Sequence, residues 1–359
     1  PAQIQELIKW GVDFDKKEDG EFDLHKEGGH SEFRILHHAD NTGFEIQDSL
    51  IKAVRANKNI DVYEHHFAVE IITQHHLGKI VTRRTPDITC YGAYVLDTDT
   101  GVVDTFLSKV TLIATGGVGA VYQTTTNPLV ATGDGIAMAK AAGADFVDMD
   151  QIQIHPTVEA NTAALITEGL RGDGAILINE EGQRFIDEVG TRDVVSAAEI
   201  AQTGSYSWLV VDQAMVDASS VIQGYIKKGY TVTGATYEEL GKAMGVDAAA
   251  FAETMEKWNG YVEAKNDPDF GRTSFANPLD TAPYYAIKVT AGVHHTMGGL
   301  TINTNTEVLK EDGTVIPGLF AAGEVTGGVH GANRLGGNAV ADFTVFGRIA
   351  GKAASDYAA

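Results

Sequence analysis

Val110-Thr111-Leu112-Ile113-Ala114-Thr115-Gly116-Gly117 is a continuous apolar run that breaks into small residues. Such a run reads as a buried parallel strand, and the Ala-Thr-Gly-Gly at its end leaves backbone N–H groups unhindered. In doubly wound α/β folds, nucleotides bind at the carboxyl ends of strands of this kind. Thr132-Gly133-Asp134-Gly135 then opens a short helix over 135–142. Its N-terminus favours phosphate, and Asp134 can hydrogen-bond a ribose or ribityl hydroxyl. Pro317-Gly318-Leu319-Phe320-Ala321-Ala322-Gly323-Glu324 repeats the strand-then-turn pattern and leads into the glycine-dense stretch 327–337. The fold class is therefore α/β, α+β overall once the rest of the chain is counted.

Outward from these motifs, Ile4, Leu7, Ile8 and Val12 recur at helical spacing and predict a helix over 2–10. The polar, histidine-rich stretch 13–38 reads as loop. Thr42-Gly43-Phe44-Glu45 fits a capping box ahead of a helix at 44–56. Short β-rich runs follow at 62–72, 91–96, 102–107 and 110–113, with Asp97-Thr98-Asp99-Thr100-Gly101 as a hairpin turn. Residues 300–303 read as a strand and 338–357 as a final helix. The mixed character of the middle predicts one domain built from 1–149 and 296–359, interrupted by a second at 150–295.

Composition limits the function. The formal charge is -22, with 27 basic against 49 acidic residues, which argues against nucleic acid or an anionic membrane as partner. An anionic substrate would need a pocket that gathers local positive charge. Cys90 is the only cysteine, which excludes an intrachain disulfide, a CxxCH haem attachment and a cysteine-ligated iron–sulfur cluster on this chain. No apolar run reaches the roughly 18 residues of a membrane span. A helical pattern begins at once after Pro1 with no signal-peptide pattern, which reads as an internal start, and no compartment is assigned.

Five glycines between 327 and 337 forbid a regular helix, so that backbone must wrap closely around something. Arg334 within the wrap is a fixed cationic fork suited to a carboxylate, and Glu324 can accept from a hydroxyl. Four further elements matter if they converge: His155-Pro156-Thr157, Thr167-Glu168-Gly169-Leu170-Arg171-Gly172, Thr191-Arg192-Asp193 and His294-His295-Thr296-Met297-Gly298-Gly299. Taken singly, a His before Pro is usually structural, and a pair such as Glu168 with Arg171 at i, i+3 is usually a solvated ion pair. The pairs His37-His38, His65-His66 and His75-His76 lack metal-ligand spacing, because neighbours on a strand point to opposite faces. No metal site is expected. No G-x-S-x-G occurs, so a nucleophilic serine is not supported.

Together the motifs resemble the fumarate reductase / succinate dehydrogenase flavoprotein superfamily. Residues 1–138, with Glu27-Gly28-Gly29-His30-Ser31 and Thr125-Thr126-Asn127-Pro128, most resemble L-aspartate oxidase. Residues from about 139 onward, with HHTMGG and GEVTGGVHGANRLGGNA, most resemble soluble fumarate reductases of the flavocytochrome c type. The resemblance implies a partial Rossmann-like FAD-binding domain with an inserted α+β capping domain closing over a C4 dicarboxylate. It implies FAD contacts at Ala114, Thr115, Gly116, Asp134, His295, Glu324, Arg334, Asn338 and Ala339. By the same resemblance His155, Thr167, Glu168, His294 and Arg334 bind substrate, and Arg192 donates a proton supplied through Glu168 and Arg171. The family's G-x-G-x-x-G is not in this sequence, so the chain is expected to begin after that segment. With no haem or iron–sulfur motif, electrons would come from an external donor or go to O2.

The resemblance implies fumarate reduction first, since every residue assigned to substrate lies in the half resembling the fumarate reductases. L-aspartate oxidase is the alternative. A third reading, from another class, is a truncated or chimeric flavoprotein that binds dicarboxylate without turnover. Urocanate reductases and 3-ketosteroid dehydrogenases fit less well, because Arg192, Arg334 and His294 suit two carboxylates better than one.

Overall fold

The computed structural model describes residues 2–25, 30–39, 41–82 and 84–359. Glu27-Gly28-Gly29 lie outside the described residues. Helix α1 (Ala2–Lys9) packs Leu7 with Val12, Phe14 and Ile46 of α2 (Thr42–Ala56) in a small core. Between them, the stretch expected as loop holds a two-stranded antiparallel ribbon, β1 (Leu24–His25) and β2 (Ile35–Leu36). The expected capping box does not form. The Thr42 hydroxyl accepts from His38 N, and the Glu45 carboxylate accepts from Asp13 N and Ser49 Oγ, so both side chains hold the preceding loop instead.

Strands β3 (His66–Ile72), β4 (Gly92–Asp97) and β5 (Val103–Leu107) form an antiparallel meander. The first starts four residues later than the apolar pattern from Val62 implies. Strand β6 (Thr111–Ile113) precedes α3 (Asp134–Ala141) and the short β7 (Phe146–Val147). As expected, β6 is parallel to a late strand, but it is an edge strand and Leu112 stays 42% exposed rather than buried.

The middle of the chain runs β8 (Ile152–Glu159), α4 (Gly169–Gly172), β9 (Ile176–Ile178), α5 (Arg192–Ile200), β10 (Tyr206–Asp212), α6 (Gln213–Ala218), α7 (Ser220–Lys227), β11 (Thr231–Gly234), α8 (Tyr237–Met244), α9 (Ala248–Ala264) and β12 (Tyr284–Thr296). Strands β11, β12, β10 and β9 form one antiparallel sheet, and β8 pairs with the far half of β12. Val/Ile/Leu-rich β9 and β10 are apolar on both faces because helices cover both. The last stretch adds β13 (Gly299–Leu300), β14 (Glu307–Leu309), β15 (Val315–Ala321) and α10 (Asn338–Ala358). The expected strand at 300–303 is reduced to β13 plus a single bridge from Ile302 to Val308. No helix among the described residues is long and apolar enough to cross a membrane.

The β8–β12 ladder contains two register shifts that cancel. From the pair Thr290–Val158 to the pair Gly292–His155, β8 gains a residue at Pro156 and Thr157. From Val293–Ile154 to His295–Gln153, β12 gains one at His294. Proline has no N–H to give a ladder and is tolerated at such irregularities, and bulges re-aim side chains.

The middle region also buries four charges. Arg184 donates to both Glu188 oxygens at 2.7 and 2.8 Å and to Asp267 at 3.0 Å, while Arg272 donates to Glu188 at 3.0 Å. Both guanidiniums lie over Trp258, at 4.2 and 5.0 Å. Two cations balance two anions, which is what makes the burial tolerable. Removing one partner strands the others. Glu188→Ala is therefore expected to cost about 3–5 kcal/mol of unfolding free energy, read as a lower urea midpoint. A midpoint equal to that of the parent would contradict this account.

Candidate functional site

Two strand ends and two bulges assemble the site. Gln153 and His155 lie two apart on β8, and His294 and His295 lie on β12, His294 at its bulge. The rings of His155 and His294 come within 5.0 Å. The Thr157 backbone N–H donates to His155 Nδ1 at 3.2 Å, while the Thr157 hydroxyl donates to Ile166 O at 2.9 Å. The His155 proton therefore sits on Nε2, leaving that atom a donor. His294 engages Thr126 Oγ1 through Nδ1 at 2.7 Å, and Asn127 Nδ2 donates to the His294 carbonyl at 3.0 Å.

Beside them lies a chain of charges. Glu168, just ahead of α4, accepts from Arg171 Nη2 at 2.8 Å through one oxygen and from Arg192 Nη2 at 2.7 Å through the other. All three are buried, unlike the solvated ion pair that this spacing usually gives on its own. Arg192 at the start of α5 makes it a buried triad, held further by Arg171 Nη1 donating to Glu188 O at 2.6 Å. Arg192 Nη1 donates to Gln153 Oε1 at 2.9 Å, and Gln153 Nε2 donates to Arg334 O at 2.6 Å. Gln153 thus ties Arg192 to the glycine-rich segment. Thr167 donates its N–H to Tyr225 Oη at 3.1 Å and lines a cavity of about 490 Å³ with Glu168 and Arg171. Across that cavity stands the segment 30–39, where His30 Nε2 meets Gly336 O at 2.8 Å.

The electrostatics follow from burial. Burial, then the nearby Arg192, Arg171 and Arg334, holds His155 well below the ordinary imidazole range. Burial, His155 and the same arginines other than Arg171 do this to His294. For Glu168 burial pushes upward, but Arg192 and Arg171 outweigh it and keep the carboxylate ionised. Burial lowers Arg171. Around the two neutral rings stand the guanidiniums of Arg171, Arg192 and Arg334 and the Glu168 carboxylate, with the Glu324 carboxylate also acting on Arg334.

Of the residues expected at the cofactor, Ala114, Thr115, Gly116 and Glu324 follow the carboxyl ends of the parallel pair β6 and β15. Ala322 N donates to Ile113 O at 3.1 Å, holding the ends of the two strands side by side. Ala114 and Thr115 are exposed, and Gly116 follows. A Cβ on Gly135 would strike Thr115 Oγ1, so α3, with Asp134 at its start, can approach only because residue 135 is glycine. Gly117 is equally constrained, since its Cβ would lie 2.3 Å from Thr296 Oγ1 and 2.6 Å from Glu324 Oε1. Glu324 accepts from Thr296 N at 2.9 Å and faces His295 Nδ1 at 3.3 Å. Burial lowers His295, so its Nε2 is a lone-pair acceptor, and that buried atom has no hydrogen-bond partner among the described residues. Asn338 and Ala339 open α10.

Gln153 and Thr126 escaped the sequence reading. Gln153 was accessible to it, being two residues before His155 and so on the same strand face. Thr126 was not, since it reaches His294 across 168 residues. Glu199, on the same helix as Arg192, was also missed. Burial pushes its carboxyl up to about 8.

The geometry can be set beside known proteins. A family model described as "FAD binding domain" matches residues 1–340. The chain belongs to the FAD-binding family. It is 40% identical over 350 residues to a probable fumarate reductase of Shewanella frigidimarina, covering 94% of this chain and 57% of that protein. It is 36% identical over 371 residues to a chloroplastic L-aspartate oxidase of Nicotiana tabacum, covering 99% of this chain and 49% of that one. Its fold matches the open conformation of a flavocytochrome c3 fumarate reductase with a TM-score of 0.78 and 39% identity, over 99% of this chain and 62% of that one. The chain thus spans about half the length of the curated relatives it matches, and its fold is that of the fumarate reductase flavoproteins.

The neutral histidines set a pH dependence. Unfolded, each takes up a proton near pH 6.5; folded, each resists it to lower pH. Where the unfolded chain binds more protons, stability is lost as the pH is lowered, by up to about 1.4 kcal/mol per pH unit for each histidine. Glu168, whose folded value is depressed, contributes a loss only below the ordinary carboxylate range. Urea midpoints should therefore drop on acidification from just below pH 6.5, and His155→Gln/His294→Gln should flatten the drop. An unflattened profile would show that other groups govern it.

Proposed function

We propose that this chain carries the substrate site and much of the FAD site of an oxidoreductase that reduces fumarate to succinate. The observation that carries the reading is the buried Arg192–Glu168–Arg171 triad beside two neutral histidines and Arg334. In this reading, residues 1–149 and 296–359 are the FAD-binding domain and 150–295 the cap. FAD fits the exposed backbone of Ala114–Gly116, the helix starts at Asp134 and Asn338, and the unpaired acceptor of His295. Glu324, Arg334 and Ala339 complete its holders.

When bound, FAD supplies the hydride for one alkene carbon. The chain's residues do the rest. Arg334, His294 and Thr167 hold the carboxylates, with His155 donating from Nε2, and the nearby guanidiniums stabilise the negative charge that develops. Arg192 gives a proton to the other carbon. Arginine is a poor acid, with a pKa above about 12, so it must act as a relay, reprotonated at once through Glu168 and Arg171. Their direct hydrogen bonds supply that route.

L-aspartate oxidation is the second reading, supported by the Nicotiana tabacum relative covering 99% of this chain. Charge argues against it. Aspartate brings an ammonium to a cationic pocket, and Glu168 already serves two guanidiniums. The electron donor would be an external reductant for a fumarate reductase, or O2 the acceptor for an oxidase.

With FAD added to the purified chain, reduced viologen should bleach the flavin and fumarate should restore it. Silence toward fumarate with a response to aspartate would replace the first reading by the second, and failure to bind FAD would remove both. Arg192→Ala should abolish turnover and keep flavin binding; loss of both would mean the residue is misassigned. Arg334→Ala should weaken dicarboxylate binding by about 1.5–3 kcal/mol, the worth of a charged hydrogen bond. An unchanged dissociation constant would refute its role.

A further inference from the structure

The ribbon between α1 and α2 carries a cluster that neither the substrate nor the cofactor group uses. Pairing of His25 with Ile35 and Leu24 with Leu36 brings the flanks of β1 and β2 together. Asp23 and His25, two apart, share a side of the ribbon. The rings of His25 and His37 stack with centroids 3.6 Å apart and an interplanar angle of 22°, so the exposed His25 ring must turn for both lone pairs to meet one ion. One carboxylate oxygen of Asp23 and one ring nitrogen each from His25 and His37 lie within 4.8 Å of one another.

His37 gives the cluster its direction. Its Nε2 is 3.5 Å from Asp23 Oδ2 and its Nδ1 is 3.2 Å from Asp15 Oδ2. Both ring nitrogens are buried and neither completes a hydrogen bond among the described residues. Two ligands at about 2.0–2.1 Å from a tetrahedral ion are about 3.3–3.4 Å apart, close to the Asp23–His37 separation. A carboxylate on the outer nitrogen of a ligating imidazole is the usual support that fixes its tautomer and raises its basicity. Asp15 stands in that position.

We propose that Asp23, His25 and His37 bind a divalent transition cation of the zinc class, with Asp15 orienting His37 and a fourth position open to water. Two imidazoles and one carboxylate suit zinc, cobalt or nickel rather than calcium or magnesium. The objection from sequence was that adjacent histidines face apart. It does not apply here, because the ligands come from two segments brought together by the ribbon. The ion would clamp β1 to β2, and with them the wall of the cavity formed by His25, His30 and Ser31 opposite Glu168 and Arg171.

The test uses the whole chain, stripped with chelator and then titrated with zinc chloride by calorimetry and with cobalt chloride by visible absorption. One equivalent of zinc, with the intense d–d bands of four-coordinate cobalt, is expected. His37→Ala and His25→Ala should abolish both signals. Asp15→Asn should keep the stoichiometry and lose about 10- to 100-fold in affinity. His65→Ala, at the exposed His65–Asp99 pair, should change nothing. Circular dichroism of the stripped variants checks folding, and His25, being exposed, is the substitution least able to disturb the core. No stoichiometric uptake by the parent, or uptake undiminished in His25→Ala, would overturn the proposal.

Discussion

The pairing of β8 with β12 is the constraint on which the site depends. It ties β8 into the five-stranded sheet. It carries Gln153 and His155 on one strand and His294, His295 and Thr296 on the other. From it, Gln153 reaches Arg192 and the Arg334 carbonyl, His294 reaches Thr126, and Thr296 reaches Glu324. Side chains from five parts of the chain are thus referred to a single hydrogen-bonded frame. Catalytic positioning needs this kind of rigidity, since small displacements cost rate.

Charge is handled differently in two adjoining places. The Arg184–Glu188–Arg272–Asp267 group is balanced and sealed in an apolar core. The Arg192–Glu168–Arg171 group with Arg334 is left cationic, although the whole chain is strongly acidic. Excess positive charge buried away from water is expensive unless something anionic is to fill it. The neutrality of His155 and His294 limits that excess while leaving a directed N–H donor in place.

Much of this was legible in the sequence, for identifiable reasons. The strand into Ala114–Gly117, the helix at Asp134 and the turn at Gly323 are local patterns whose glycines declare close approach. The structure gives each the element expected. The gathering of His155, Glu168, Arg171, Arg192, His294 and Arg334 could not be read from spacing, because it depends on strand pairing across more than a hundred residues. The resemblance supplied it. Where the sequence misled, a stronger contact had taken the side chain. Thr42 and Glu45 hold the loop before their helix instead of capping it. The ribbon at 24–36 was hidden because two-residue strands have no period to detect.

The paired irregularities in the β8–β12 ladder bear on how such a chain can change over time. Each alone would slide everything beyond it by one position and turn inward-facing residues outward. Together they restore the register, so that Gln153 and Ile152 meet His295 and Thr296 as though the ladder were regular. A single-residue deletion at Pro156 or at His294 would therefore do harm far from where it falls, and only a second, matching deletion on the opposite strand would mend it. The register thus constrains the two strand lengths as a pair.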